Sequence, residues 1–191
     1  AAAESPSQRA SITVQDLFLD EEDLYVSGGH SNALEDFKGR TRSYGPWRKV
    51  VRACQPKGGE ESSIWRGITR EADQLYCYEV ACPACRQFHL PDLANLVVPG
   101  GEEDPKEIRR GKLARYRCPH CKWAWSDHIR DLAVAAGQWR PYRYSPQHGF
   151  EPAPAVDAPI SVGYHLPAIL SRSVSLSELA ARRIIAEASD D

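Results

Sequence analysis

An α/β protein carrying a zinc-ribbon-like subdomain with four cysteine ligands and a C-terminal helical segment is the fold that three features of this sequence predict. The first is a mostly apolar run, Ile12 to Leu19, that ends abruptly in four acids, Asp20-Glu21-Glu22-Asp23. The second is a pair of cysteine knuckles, Cys82-Pro83-Ala84-Cys85 and Cys118-Pro119-His120-Cys121. The third is a helix near the C-terminus that opens on a capping box, Ser175-Leu176-Ser177-Glu178.

Taken in order, residues 1–11 are small and polar and predict loop. The strand Ile12–Leu19 follows, with its acids at the C-terminal end. That is the arrangement of a Walker B strand, in which an aspartate holds Mg²⁺ through water and the next glutamate polarises the attacking water. A solvated acidic turn after an ordinary strand reads the same way, so both alternatives stand at this point. Gly28-Gly29 breaks the chain. Ser31 to Lys38 predicts a short helix capped by Ser31, with Leu34 and Phe37 inward and Gly39 ending it. Arg40-Thr41-Arg42 is exposed and basic. Lys49 to Cys54 predicts a second strand, Ser62 to Ile68 a helix with Ile64 and Trp65 inward, and Leu75 to Val80 a strand leading into the first knuckle. Strand, helix and strand in this order predict an α/β layer.

Each knuckle places two thiols close enough to share one ion. Two knuckles make a tetrahedral four-thiolate site suited to Zn²⁺, a d¹⁰ ion that imposes no other geometry. Cys82, Cys85, Cys118 and Cys121 are therefore the expected metal ligands. The 32 residues from Arg86 to Arg117 exceed the usual ribbon spacing of roughly 15–20. Loop-closure entropy grows only logarithmically with length, so the excess costs little. His89, His120 and His128 lie near the thiols, but four well-spaced cysteines leave them no place as ligands. Four thiolates also leave no open position for water, so the expected zinc is structural. Cys54 and Cys77 are expected as small buried hydrophobes.

After the second knuckle, Trp123-Ala124-Trp125 alternates like a return strand whose tryptophans are expected to pack the small metal core, although stacking on bases would also suit them. Ser126 or Asp127 caps a helix to Ala136, with Ile129, Leu132, Ala133 and Ala136 on one face and Gly137 as its stop. Trp139 to Pro159 holds five prolines and predicts loop or linker. Val162 to Leu170 is apolar, with His165 expected as a core histidine. Leu179, Ile184 and Ile185 line the last helix.

The chain has a formal net charge of −2, with 42% hydrophobic and 26% charged residues, which gives no global attraction to nucleic acid. The charge is uneven. Seven basic residues and one acid lie between Lys106 and Lys122. Within that run Arg109, Arg110, Lys112, Arg115 and Arg117 are candidate phosphate contacts, or else a solvated charged loop. No apolar run is long enough for a membrane span, and no signal peptide opens the sequence. Six cysteines with four in knuckles indicate a reducing compartment. The start at Ala1 and the lack of any Met suggest a piece of a longer protein.

The order of these motifs resembles the large terminase subunit of tailed bacteriophages, the lambda-like GpA family. The resemblance rests on Leu19-Asp20-Glu21-Glu22-Asp23, then Arg40-Thr41, then Arg48-Lys49-Val50 leading to Ala53-Cys54-Gln55-Pro56. Ser63-Ile64-Trp65 and Asp73-Gln74 precede the first knuckle. The second knuckle, Gly137-Gln138-Trp139 and Gly163-Tyr164-His165-Leu166 complete the series, which covers almost the whole chain. It implies a partial P-loop-type ATPase layer over residues 1–78, the zinc subdomain over 79–140, and a linker with the start of a nuclease over 141–191. It implies an ATP-driven motor that packages viral DNA into procapsids, with a separate endonuclease. Asp20 is then the Mg²⁺-associated, cofactor-binding carboxylate and Glu21 the catalytic glutamate. ATP, Mg²⁺, double-stranded viral DNA, the small terminase subunit and the procapsid portal protein are the implied cofactors and partners. The implied location is the bacterial host cytoplasm, transiently at the portal. Ala53-Cys54-Gln55-Pro56 departs from the family's Ser-Thr-Pro, with Cys54 and Gln55 where two hydroxyls are expected. No Gly-x-x-x-x-Gly-Lys-Ser/Thr stretch occurs, and nuclease acids are not evident, so this stretch alone is expected to be inactive. A stand-alone zinc-ribbon nucleic-acid-binding module and a purely structural zinc subdomain are the competing readings.

Overall fold

The parallel strand pair that carries the acids sits in one unit and the knuckle cysteines in another. The computed structural model describes residues 13–27, 33–57 and 59–189. Contacts divide the chain into two compact units, 1–73 and 74–191. Ile12, Gly28-Gly29 and the Ser31 cap lie outside the described residues.

In the first unit β1 (Asp16–Asp20) pairs in parallel with β2 (Lys49–Ala53), in a register that sets Asp20 opposite Ala53. Parallel strands need a crossover, and helices α1 (Glu22–Ser27) and α2 (Ala33–Gly39) with a 3₁₀ turn over Arg42–Trp47 supply it. The buried Thr41 donates its hydroxyl to the Lys38 carbonyl (2.9 Å), closing the turn after α2. After β2, Ser62 caps α3 (Ser63–Arg66) by accepting from the Trp65 N–H, and a π-helical turn over Gly67–Glu71 continues it. Ile64 is buried and Trp65 half-buried, as the sequence predicts.

The second unit is organised around β3 (Gln74–Ala81). Its alternation buries Leu75 and Cys77 on one face, and Val80, on the opposite face, is buried in the core of the knuckles. Beyond its end, the first knuckle turns into β4 (Phe88–His89), which pairs antiparallel with Val80 and Ala81. A second, three-stranded sheet follows in the order β5 (Leu96–Val97), β6 (Arg115–Arg117), β7 (Ala124–Trp125), with the second knuckle joining β6 to β7. Between β5 and β6 lies α4 (Pro105–Gly111), and after β7 comes α5 (Asp127–Ala135), capped by Ser126.

The proline-rich stretch is where expectation and structure part. Residues 138–152 form a hairpin of β8 (Gln138–Ser145) and β9 (Gly149–Pro152) rather than a loop. β8 also pairs antiparallel with β3, and β10 (Val162–His165) pairs in parallel on the other side of β3. Proline survives inside β8 because of register. The Pro141 carbonyl accepts from the Ala153 N–H (3.0 Å), so its nitrogen faces the side on which the β9 ladder ends at Pro152. Gly137, just before β8, lies where a Cβ would meet the Tyr78 ring at 2.4 Å and the Glu79 carbonyl at 2.6 Å.

A single apolar core fills this unit. Val80, Cys82, Leu96, Ile108, Tyr116, Cys118 and Trp125 pack with Ile169, Leu170, Leu176 and Leu179. The last group comes from a 3₁₀ turn at Ala168–Leu170 and from α6 (Leu176–Glu187), whose Ser175 cap accepts from the Glu178 N–H (3.0 Å). The segment 169–184 thus shares the core of the knuckles. Ile184 packs against that core while Ile185 is exposed. On α5 the buried positions are Arg130 and Ala133, and Leu132, expected inside, is exposed.

Arg130 explains the exchange. It is 3% exposed and donates to the carbonyls of Ile169 and Val174 (both 3.1 Å), with Asp131 at 2.6 Å and Asp127 at 3.5 Å. Asp127 also accepts from the Leu176 N–H (2.7 Å). One buried cation therefore ties α5 to the segment that enters α6. Arg130→Met is expected to destabilise the second unit by about 3 kcal/mol, because it strands two buried carbonyls and two carboxylates. Breaking the exposed Arg143–Glu151 pair with Arg143→Ala is expected to change stability by no more than about 0.5 kcal/mol. Urea denaturation of both variants, followed by circular dichroism, checks the contrast.

Candidate metal centre and carboxylate pair

Both knuckles follow one backbone recipe. In the first, Cys82 N–H donates to the Gln87 carbonyl (3.0 Å) and Arg86 N–H to the Cys82 carbonyl (2.7 Å). In the second, Cys118 N–H donates to the Trp123 carbonyl and Lys122 N–H to the Cys118 carbonyl (both 3.0 Å). The residue after the second cysteine, Arg86 or Lys122, takes a left-handed φ of 62° in each. That repeated turn aims both sulfurs of a knuckle to the same side.

The two hairpins bring the four Sγ atoms of Cys82, Cys85, Cys118 and Cys121 within 4.8 Å of one another. Cys82 and Cys121 stand 3.7 Å apart, and Cys85 and Cys118 3.8 Å apart. A tetrahedron with Zn–S bonds of about 2.3 Å has edges of about 3.8 Å. The separations are far too long for disulfides, and all six cysteines are free. The donor set and its spacing thus fit one tetrahedral ion held by four thiolates. Burial raises the Cys82 thiol, but backbone N–H groups of Cys85 and Ala84 outweigh it and bring the thiol down to about 7. Burial pushes the Cys118 thiol up to about 12, against backbone N–H groups of Cys121 and His120 that lower it, and a bound cation would favour its thiolate.

The histidines near the knuckles stay outside this cluster. His89 is buried, stacked parallel to Tyr116 at 5.8 Å and 5.6 Å from Trp125, and burial lowers it to about 4. It is a neutral packing ring behind the sulfurs. Trp125 is buried in the same place, whereas Trp123, expected beside it, is 41% exposed. His165, expected in the core, is half-buried; it stacks on Phe150 at 4.4 Å and burial lowers its pKa.

The acidic turn of the first unit sorts its four carboxylates into two pairs. Glu22 and Asp23 are buried, not solvated. Arg52 grips Glu22 with two bonds of 2.6 Å and reaches Glu71 at 3.3 Å. Asp23 accepts from the Ser62 hydroxyl (2.6 Å) and from the backbone N–H of Lys57 and Ser63 (both 2.9 Å) and Ile64 (3.4 Å). It therefore caps α3 and pins the loop after β2. Asp20 is exposed at the carboxyl end of β1, and its side chain has no hydrogen bond or ion pair among the described residues. Glu21 holds a left-handed φ of 53° while its N–H donates to the Ala53 carbonyl (2.8 Å). Cys54, expected buried, is half-buried, with its Sγ 3.9 Å from Glu21 Oε2. Cys77 is fully buried, as expected.

The basic run is partly spent inside the fold. Arg109 pairs with Glu178 at 2.6 Å, Arg110 with Glu107, and Arg115 donates to the carbonyls of Lys112 and Ala114. Lys112 and Arg117 are exposed, and their side chains have no partner among the described residues. The charge pattern of the run does not reveal helix α4 within it. Asp104-Pro105 signals it, an N-cap acid followed by proline at the first helical position.

A family model described as the phage terminase large subunit gpA, ATPase domain, matches residues 1–139. The chain belongs to that family. The family serves DNA packaging, and the matched stretch of this gpA-family chain takes in Asp20, Glu21 and all four knuckle cysteines. No curated protein and no solved structure matches the chain. Among the described residues no helix is long and apolar enough to cross a membrane.

Asp23 gives this gpA-family site a testable pH signature. Burial raises its carboxyl, but the Ser62 hydroxyl and the N–H groups of Lys57, Ile64 and Ser63 outweigh that and hold it below 3.8. A carboxyl lowered on folding stabilises fully above its unfolded value, and the contribution disappears as pH falls through the folded value. Asp23→Ala is expected to cost about 2 kcal/mol at neutral pH through the lost cap and stranded donors. The loss is expected to shrink below about pH 4, and denaturation curves at neutral and acid pH check both parts.

Proposed function

We propose that this chain forms the Walker B end of the ATPase layer of a phage terminase large subunit, followed by a zinc-held junction toward the nuclease. The observation that carries the reading is the placement of Asp20 and Glu21. They stand at the carboxyl end of a parallel strand pair, where α/β nucleotide enzymes keep their sites, inside the stretch that matches the family. Asp20, exposed and unpartnered, is the carboxylate that would hold Mg²⁺ through water. Glu21 is the base that orients and polarises the attacking water. Its left-handed backbone, its bond to Ala53 and the buried Glu22–Arg52 and Asp23 anchors keep it at the turn. The metal supplies neutralisation of phosphate charge when bound.

The Ala53-Cys54-Gln55-Pro56 stretch leaves β2 beside this turn and is the segment that couples hydrolysis to DNA movement. The Cys54 thiol near Glu21 takes the place of the hydroxyl seen in the family pattern, a weaker hydrogen-bonding group. In the second unit Cys82, Cys85, Cys118 and Cys121 hold a structural Zn²⁺ with no open position for catalysis. Viral duplex DNA, the small terminase subunit and the portal are the partners this assignment requires, in the cytoplasm of the bacterial host. A stand-alone nucleic-acid-binding ribbon accounts for the cysteines but leaves the β1–β2 pair and its acids without a role.

In a terminase assembled with this sequence, Glu21→Gln is expected to lower ATP hydrolysis by about 10²–10⁴-fold while nucleotide binding persists. Steady-state hydrolysis beside equilibrium nucleotide binding checks this, and unchanged hydrolysis contradicts the assignment. The 191-residue chain by itself is expected to show no turnover, since no phosphate-binding loop occurs in its sequence.

A further inference from the structure

Three cations flank the thiolate cluster directly in the chain. Arg86 follows Cys85, Arg117 precedes Cys118 and Lys122 follows Cys121. All three are exposed. Arg86 and Lys122 occupy the same left-handed position of their two knuckles, so the fold repeats a cation there. The side chains of Arg86 and Arg117 have no partner among the described residues, and Lys122 Nζ donates only to the Pro119 carbonyl (2.8 Å). No Asp or Glu lies within two positions of any of the four cysteines. With the four sulfurs inside 4.8 Å, chain geometry keeps the three Cα atoms within about 18 Å of one another. That span covers about five phosphates of one DNA strand.

Charge balance around the metal is the rival use of these side chains. Zinc with four thiolates carries a charge of about −2, and three cations exceed it. Cations serving the sulfurs would fold back on them, whereas Arg86 and Arg117 are exposed without a partner among the described residues and Lys122 Nζ turns to the Pro119 carbonyl. Of the rest of the basic run, Arg109, Arg110 and Arg115 are engaged within the unit, and Lys112, though exposed and without a partner among the described residues, is not next to a ligand cysteine in the chain. Exposed cations of this kind suit the sequence-independent backbone, whose contacts position a protein on a duplex without reading its bases.

We propose that the rim of the knuckle pair, Arg86, Arg117 and Lys122, contacts the phosphate backbone of duplex DNA. The choice of duplex DNA rests on the terminase reading. The chemistry is counterion release: each phosphate neutralised steepens the fall of affinity with salt by about 0.9 in log–log slope. The surface grips any duplex and selects none, as suits DNA passing through a motor.

The test uses the zinc-loaded 191-residue chain and a short fluorescent duplex of arbitrary sequence, with binding read by anisotropy across a salt series. The rim variant is Arg86→Glu, Arg117→Glu and Lys122→Glu together. A charge-matched control reverses Lys106, Arg110 and Lys112. The rim variant is expected to lose affinity at least about tenfold and to flatten the salt slope by about 2.7, while the control keeps its slope within about one. Zinc content and melting temperature are measured for each. If the reversals disturb folding, the triple Gln variant of the rim replaces them. An unchanged rim variant, an equal loss in the control, or no salt-dependent binding by the zinc-loaded wild type overturns the proposal. Loss of zinc from both rim variants also overturns it, by assigning the cations to the metal. A failure here with hydrolysis still abolished by Glu21→Gln sinks the rim alone, whereas rim binding beside a Glu21-insensitive ATPase sinks the terminase reading.

Discussion

Four sulfur atoms drawn within 4.8 Å of each other are the constraint on which the second unit depends. Cys82 and Cys118 are fully buried members of the core that also receives α6 and the Ala168–Leu170 turn. Two hairpins and a C-terminal helix therefore converge on one cluster. Structural zinc in small modules is worth about 10–16 kcal/mol of apparent binding free energy. Whole domains are stable by only about 5–15 kcal/mol. A metal at this position is thus comparable with the entire stability of the unit, while the Arg130 clamp is a correction to it.

The first unit solves a different electrostatic problem. Four consecutive carboxylates repel one another, and the fold separates them by burying two. Glu22 meets the Arg52 guanidinium, and Asp23 meets one hydroxyl and three N–H donors that favour its charged form. Asp20 and Glu21 are left at the strand end. The pair proposed for catalysis lies next in the chain to the pair that is buried. Packing constrains this arrangement too, since a Cβ at Gly67 would come 2.9 Å from the Arg52 guanidinium.

Much of this was legible in the sequence, for physical reasons that differ by element. The knuckles were legible because ligand spacing is a local property, and β1, β2 and β3 because apolar runs bounded by turn residues predict strands. The N-caps of α5 and α6 were equally local. The β8–β9 hairpin was hidden because proline counts are read as breakers, and only register reveals that the Pro141 nitrogen faces the end of a ladder. The burial of Glu22 and Asp23 was hidden because their partners, Arg52 and Ser62, lie 30 and 39 residues away. Leu132 was misplaced because Arg130, which the apolar periodicity leaves out, takes the inward position through carbonyls contributed by Ile169 and Val174. Non-local polar satisfaction is what hydrophobic periodicity does not encode.

Amide hydrogen exchange of the zinc-loaded chain, before and after removal of the metal with a chelator, tests the central claim most directly. The account predicts that removal abolishes protection in β3, β4, β6, β7 and α6 together, because they share the core that the four thiolates close. Protection in β1 and β2 stays as it was, since their unit contains none of the ligands. Equal exchange throughout the second unit with and without metal would contradict the account.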